Sequence, residues 1–414
     1  MEKLVVVGAG MASGRLLEHL VREDRGRFDI TLFGAEPRGN YNRIMLSPVL
    51  AGDIDFAETV THDGEWYRGN GITAHLGETV TAIDRKNKQV ISRRGATPYD
   101  RLVVATGSAP VVPPLPGNTL RGVTAFRDYD DVARMLAAAG MPSTRAVVIG
   151  GGLLGLEAAA ALRQRGMEVT VLHLKQHLMD RQLDPTSADL LRQEFERRGI
   201  AIHTGAITKA LLGHRQVEAV ALEDGTVVGA DLVVMAVGIR PETRLATDSG
   251  LHVERGIIVD DRLVTSDPNI LAIGECAEHD GVCYGLVAPL YDMARVAADT
   301  LLGRPAVFLP VRTATQLKVS GVSVYSAGDF AAGEDREDIV LRDEHAGSYR
   351  RLVIRDGRVL GAVLYGDVAD GPWFFDLVRQ QVDTSPMRHT MIFGRGLAES
   401  ETPEAYGGRC SLPG

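Results

Sequence analysis

The stretch Ala146-Val-Val-Ile-Gly150-Gly-Gly152-Leu-Leu154-Gly155 runs from a β-branched apolar strand into a GxGxxG turn, then into an Ala/Leu-rich helix ending near Arg165. A second buried strand, Glu168-Val-Thr-Val-Leu172, follows. Glycines at those spacings let the backbone turn tightly and approach a pyrophosphate, and the helix start offers it N–H groups and a positive dipole end. The same design opens the chain: Leu4-Val-Val-Val-Gly8-Ala-Gly10-Met11-Ala12-Ser13-Gly14, a helical stretch through Val21, then Asp29-Ile-Thr-Leu-Phe33. Ser13 replaces the third glycine and is small enough for the same close helix–strand packing. A βαβ unit used twice predicts parallel sheets of buried strands and two dinucleotide sites.

The 414 residues exceed one ordinary core, and two or three domains are expected. With 45% hydrophobic and 24% charged residues the composition is that of a globular protein. A net charge of −9 argues against a nucleic-acid partner, which wants a basic surface. The apolar run Leu4–Val7 is too short for a signal peptide, and no window reaches the roughly 20 apolar residues of a membrane span. The expectation is a cytoplasmic protein with no membrane partner.

Between the two units lie the proline-rich Ala109–Pro116 and a helix-like Asp130–Ala139. Strand-like runs Asp231–Gly238 and Ile270–Gly274 each end in glycine, and beyond about Pro310 the pattern becomes short alternating strands, Arg350–Ile354 and Val359–Tyr365, then a helix Trp373–Gln380. Glu36 follows the first turn at the distance expected of an acid that hydrogen-bonds an adenosine ribose. At the matching place after the second turn stand His173 and Lys175, an edge that would not repel a 2′-phosphate, so NADH and NADPH both remain open.

Two further segments carry a family resemblance. Thr265-Ser-Asp-Pro-Asn-Ile-Leu-Ala-Ile-Gly274-Glu275 resembles the second FAD fingerprint of glutathione-reductase-like flavoproteins, and Tyr99-Asp-Arg-Leu-Val-Val-Ala105-Thr106-Gly107 resembles their ATG motif. Within that superfamily, Asn40–Gly52, Leu178–Asp184, Gly274–Ala277, Tyr284–Tyr291, Leu317–Val322, Ser326–Phe330 and Gly361–Phe375 look like the large subunit of NAD(P)H-dependent nitrite reductase. The likeness covers about residues 3–395.

The resemblance implies an α/β fold of two Rossmann-like, glutathione-reductase-like domains plus a small α+β C-terminal domain. FAD would lie on residues 1–112 and 245–310, NAD(P)H on the inserted residues 113–244, and an interface or dimerisation domain on 311–414. The implied activity is an FAD-dependent NAD(P)H oxidoreductase, with flavin contacts from Gly8, Gly10, Met11, Ala12, Ser13, Glu36, Arg43, Ser47, Ala105, Thr106, Gly107, Gly274 and Glu275. Glu275 replaces the usual Asp beside the ribityl chain. Val287, Ala288 and Pro289 would open a helix aimed at the flavin N1/O2 edge. Gly150, Gly152, Leu154, Gly155, His173, Lys175 and Gly238 would serve the nicotinamide dinucleotide, and Glu157 matches a catalytic carboxylate near its ring. Related ferredoxin reductases often carry a Lys where Pro48 stands. Proline cannot pair with Glu157, so only the placement of that acid is carried over.

The family's large subunits continue into cysteine-rich 2Fe–2S and sirohaem modules, for which this sequence has no cysteines. The expected role is therefore an electron-input module, a free-standing subunit or a piece of a longer one. Its partner would be an iron–sulfur/sirohaem nitrite reductase, a nitrate reductase subunit or a ferredoxin-like carrier. Ferredoxin or rubredoxin reductase is the alternative, and a redox-switched binding module a third. Cys276, Cys283 and Cys410 match no CxxC spacing or metal set and are read as reduced thiols, with no metal site. Arg350, Arg351, Arg355 and Arg358 are read as a solvated face rather than a docking patch, and Trp373-Phe374-Phe375 as core.

Overall fold

The computed structural model describes residues 1–141, 144–309 and 314–401; Cys410 lies outside them. The chain forms two compact units, Met1–Pro113 with Ala125–Leu136 and Val237–Val311, and Pro114–Thr124 with Ala137–Ala236 and Arg312–Gly414.

The first unit holds a five-stranded parallel sheet in the order Ile270–Ala272, Arg101–Val104, Glu2–Val7, Phe28–Gly34, Ile72–Leu76. Its strands are runs of β-branched and aliphatic residues because both faces are covered; Leu4, Val5 and Val6 are fully buried, and each such side chain contributes about 1.5–3 kcal/mol. From the central strand Glu2–Val7 the chain steps outward to Ile72–Leu76, then reverses to Arg101–Val104. The carboxyl ends of Glu2–Val7 and Arg101–Val104 thus meet at a topological switch point, where open α/β sheets bind ligands. Helices Met11–Asp24 and Val287–Leu301 pack together beside this sheet.

The second unit repeats the plan. Leu232–Met235, Arg145–Ile149, Glu168–His173 and Ile200–Thr204 run parallel in that order, with helix Leu153–Gln164 following the central strand. Each unit also carries a three-stranded antiparallel meander, Val80–Pro98 in the first and Thr208–Gly229 in the second, which no motif announces.

The C-terminal part of the second unit is a five-stranded antiparallel sheet, in the order Thr315–Val319, Val322–Gly328, Arg358–Tyr365, Ser348–Arg355, Glu337–Asp343. Leu352, Ile354 and Phe374 of helix Gly371–Gln380 share one buried cluster, so the expected aromatic core is present. The arginine expectation fails for two of four residues. Arg350 is buried on Asp367, Asp370 and the Ile392 carbonyl, and Arg351 on Asp338 and the Phe330 carbonyl. Both faces of strand Ser348–Arg355 are covered, so consecutive arginines point into protein on opposite sides.

Candidate functional site

In the first unit the chain leaves its central strand at Gly8, where φ is +111° and a Cβ would lie 2.1 Å from the Ala105 carbonyl oxygen. Only glycine fits. Gly8 N–H donates to the Phe33 carbonyl at 2.8 Å, and Ala105 N–H to Val7 at 2.8 Å, closing the switch point. Gly10 then caps helix Met11–Asp24 with extended backbone and no side-chain hydrogen bond to the helix end. A Cβ on Gly10 would meet nothing within 4 Å. The turn is thus open in front of Gly10 at an uncapped helix start, a cradle that a pyrophosphate would fit. Buried Ser13 donates its hydroxyl to the Gly10 carbonyl at 2.9 Å, which satisfies the group that replaced glycine.

Around this turn the expected side chains form one network. Glu36 accepts from the Tyr41 hydroxyl at 2.8 Å and from Arg43 at 2.5 Å. Arg43 also donates to the Arg127 carbonyl at 3.2 Å, while the Arg127 guanidinium and the Ser108 hydroxyl donate to Glu275. Gly274, at φ +83°, packs against Ala12, bringing the Thr265–Glu275 segment to the head of the first helix. Thr106 donates to the Glu242 carbonyl at 2.7 Å, Gly107 accepts from Glu242 N–H, and the Gly238 carbonyl takes the Val111 N–H, all flanking the antiparallel ribbon Ser108–Pro110 with Ile239–Pro241. Val287, Ala288 and Pro289 form the first turn of helix Val287–Leu301, whose N-terminus has no side-chain cap. Ser47 lies in the short helix Leu46–Ala51 beside Pro48.

Two contributors escaped sequence reading. Arg127 links Arg43 to Glu275 but belongs to no motif. Asn40, wholly buried, donates to the Gly10 carbonyl at 2.6 Å and is fixed by the Tyr67 hydroxyl, so it sets the first turn from below. It stands at the head of the Asn40–Gly52 segment, the one signal that could have flagged it.

In the second unit Gly150 repeats Gly8: φ is +124° and its N–H donates to the Leu172 carbonyl at 2.8 Å. Gly155 is compulsory, since a Cβ would lie 2.0 Å from the Gly150 carbonyl oxygen. Gly152 is extended, uncapped by any side chain, and open in front, with Leu154 exposed in the first turn. Glu157 is half-buried in the second turn, because the helix begins at Leu153. The His173 ring is buried beneath the loop, where Nδ1 accepts the Gly151 N–H at 3.0 Å and Nε2 faces Asp180 at 3.5 Å. Because Nδ1 accepts a hydrogen bond, the ring proton of the neutral form lies on Nε2, and burial pushes the ring's pKa down. Lys175 alone of that pair is exposed.

Cys276 is buried and donates to the Ile273 carbonyl at 3.2 Å; burial pushes its thiol up, as it does for half-buried Cys283. Neither has thiolate character. Among the described residues no cluster of His, Cys, Asp and Glu has the arrangement of a metal site. No described helix is long and apolar enough to cross a membrane.

Residues 2–299 match the sequence profile of the pyridine nucleotide-disulphide oxidoreductases. The chain belongs to that family. Residues 314–382 match the rubredoxin NAD+ reductase C-terminal domain. The chain is 47% identical over 386 residues to the NAD(P)H nitrite reductase of Bacillus subtilis, covering 93% of this chain and 48% of that protein. It is 40% identical to the assimilatory nitrate reductase electron transfer subunit of the same organism, over 94% of this chain and 51% of that protein. It thus spans about half the length of these relatives. Among solved structures it resembles a putidaredoxin reductase–putidaredoxin complex (TM-score 0.81, 26% identity, covering 92% of this chain and 94% of that one). A second is the NADH:rubredoxin oxidoreductase of Clostridium acetobutylicum (TM-score 0.80, 25% identity, covering 94% and 97%). The two-Rossmann α/β architecture with a small C-terminal domain is the family's, and the chain is an FAD-dependent oxidoreductase that uses a pyridine nucleotide.

Proposed function

We propose that this family member is an electron-input module, taking electrons from NADH or NADPH and passing them to an iron–sulfur or haem centre of a nitrite or assimilatory nitrate reductase. The 47% identity to a nitrite reductase, confined to about half of that protein, carries the reading. Bound FAD would accept a hydride from the nicotinamide and release electrons to the acceptor.

The chain's own residues bind, orient and tune. The Gly8–Gly10 turn and helix start hold the FAD pyrophosphate, and Glu36 the adenosine ribose. Binding would draw Arg43 toward the diphosphate, away from Glu36, while Ser108 and Arg127 hold Glu275 for the ribityl hydroxyls. Ser47 serves the flavin edge. The uncapped helix start at Val287–Pro289 would offer its positive dipole end to the flavin edge where negative charge would develop. Gly150–Gly155 takes the second pyrophosphate, Lys175 the outer edge of the adenosine, and Glu157 stands near the nicotinamide. In this reading residues 1–112 and 245–310 form the FAD domain, 113–244 the NAD(P)H domain and 311–414 a dimerisation or docking domain of a cytoplasmic protein.

In an anaerobic titration, stoichiometric NADH or NADPH should bleach the flavin band within the mixing time of a stopped-flow instrument. NADH-driven nitrite loss should appear only when an iron–sulfur/sirohaem partner is added. Slow bleaching with poor turnover of artificial acceptors would sink the oxidoreductase role. The rubredoxin-reductase-type C-terminal match favours a second reading, reduction of a ferredoxin or rubredoxin. Fast reduction of such a carrier with no nitrite loss in the partner mixture would select it.

A further inference from the structure

The segment Leu178–Asp184, whose likeness to nitrite reductases assigns it no task, clamps the second glycine turn. Gly151 sits between Gly150 and Gly152 of that turn, and both its polar backbone atoms are held by one loop. Its N–H donates to His173 at 3.0 Å, and its carbonyl accepts the Met179 N–H at 2.9 Å. A Cβ on Gly151 would lie 2.6 Å from Leu178 and 2.9 Å from the His173 ring, so the loop is packed directly on the turn. Met179, at φ +49°, accepts the Gln182 and Leu183 N–H groups at 2.8 and 2.9 Å, and Leu178, Met179 and Leu183 are each 1% exposed. The loop is held as a compact turn from Leu178 to Asp184.

Its far end is fixed by the C-terminal sheet. Asp184, 5% exposed, caps helix Pro185–Arg197 by accepting the Ser187 N–H at 3.1 Å. Its other oxygen accepts the Tyr349 hydroxyl at 2.7 Å and faces Arg351 at 3.5 Å. Arg351 is itself held by Asp338, on both carboxylate oxygens, and by the Phe330 carbonyl at 3.1 Å. Strand Ser348–Arg355 is thus joined to Gly151 through Asp184, the loop and Met179 by a contiguous chain of buried polar and packed contacts.

We propose that Asp184, held by Tyr349 and Arg351, is a positioning residue through which the C-terminal sheet sets the geometry of the pyridine-nucleotide turn. It touches no reacting atom. This rests on the assignment of that turn to NADH or NADPH, and it makes the C-terminal domain part of the electron-donor site.

The test compares the whole flavin-loaded protein with its Tyr349→Phe, Arg351→Met and Arg351→Lys variants and with Asp184→Asn, which keeps a capping oxygen but loses the charge. Ferricyanide serves as acceptor, so the physiological acceptor does not enter. Direct binding of NADH and NADPH is measured alongside by the change in their fluorescence. Tyr349→Phe, Arg351→Met and Asp184→Asn should each raise KM and Kd for the nucleotide about five- to tenfold, with kcat within twofold and the flavin spectrum unchanged. Arg351→Lys should recover most of the affinity. Amide hydrogen exchange at Gly151 and Met179 should speed up in the weakened variants.

Unchanged KM, Kd and Gly151 exchange in folded variants would overturn the proposal. So would a fall in melting temperature with no change in affinity, which marks a merely structural contact. If Tyr349→Phe and Arg351→Met fail to fold, Asp184→Asn and Arg351→Lys decide by the same readouts. A wild-type protein that binds neither nucleotide would instead refute the underlying functional assignment.

Discussion

At the scale of single residues, four glycines of the two turns divide into two kinds that the motif alone does not separate. Gly8 and Gly155 are fixed by the protein itself, through carbonyl oxygens 2.1 and 2.0 Å from where a Cβ would stand. Gly10 and Gly152 face open space at ordinary extended backbone angles, so their lack of a side chain serves what binds in front of them. Gly152→Ala should therefore cost no more than about 1 kcal/mol of stability, as an N-cap change does. The same change should raise KM for NAD(P)H at least about tenfold, some 1.4 kcal/mol of binding. Gly155→Ala should destabilise by about 3 kcal/mol or more through strain against the turn. Denaturant unfolding and steady-state kinetics on both variants check the contrast; equal stability losses would refute it. Glu36 was legible from its spacing after the first turn, and Gly274 and Glu275 from the resemblance of Thr265–Glu275 to a flavoprotein fingerprint. Arg127 and Asn40 were not, since each acts across more than 25 residues of chain on a partner that no local pattern names.

At the scale of elements, the paired strand–turn–helix units were legible because apolar strands and glycine turns announce themselves locally. Arg350 and Arg351 show the opposite case. Charged residues usually signal a wet face, but in strand Ser348–Arg355 one guanidinium turns toward Asp367 and Asp370 and its neighbour toward Asp338 and Asp184. Asp338 is itself exposed, but its removal strips a buried guanidinium of a carboxylate, so Asp338→Ala should lower the urea midpoint more than substitution of an acid with no buried partner, such as Asp343. Helix Gly371–Gln380 is anchored by Phe374, fully buried, with the Trp373 ring 5.0 Å away. Phe374→Ala should cost about 3–5 kcal/mol. A shift in the urea midpoint worth less than about 1 kcal/mol would show that this helix is not anchored by its aromatic face.

At the scale of the whole molecule, buried and half-buried histidines set an acid limit. Burial lowers the pKa of His62, His75 and His173 from the ordinary value of 6.5, and of His19 as well, where Arg22 adds to the effect. The unfolded chain then binds protons that the folded chain resists. The stability contributed is complete above about pH 6.5 and is lost as pH falls from there through the lower folded values. Asp231, held down by Arg145, and Asp329, held down by Arg336, add a second loss as pH falls below the ordinary carboxylate value of 3.8. Melting temperature measured from pH 8 to 4 should be flat, then decline from near pH 6.5. His173→Asn, which keeps an acceptor for Gly151, should make that decline shallower. A melting curve independent of pH down to 5 would contradict this account. The duplication of the whole plan was visible in sequence only as two βαβ units, because the meanders Val80–Pro98 and Thr208–Gly229 are made of short strands without motif residues.

Sequence alone determined the fold class and the two glycine turns, because glycine spacing, strand hydrophobicity and helix starts are local features that a strand–turn–helix unit needs together. Tertiary structure decided what stands around those turns. Long-range hydrogen bonds that spacing cannot encode tied Arg127 to Glu275, seated Asn40 under Gly10, turned His173 inward onto Gly151, and joined Asp184 to the C-terminal sheet.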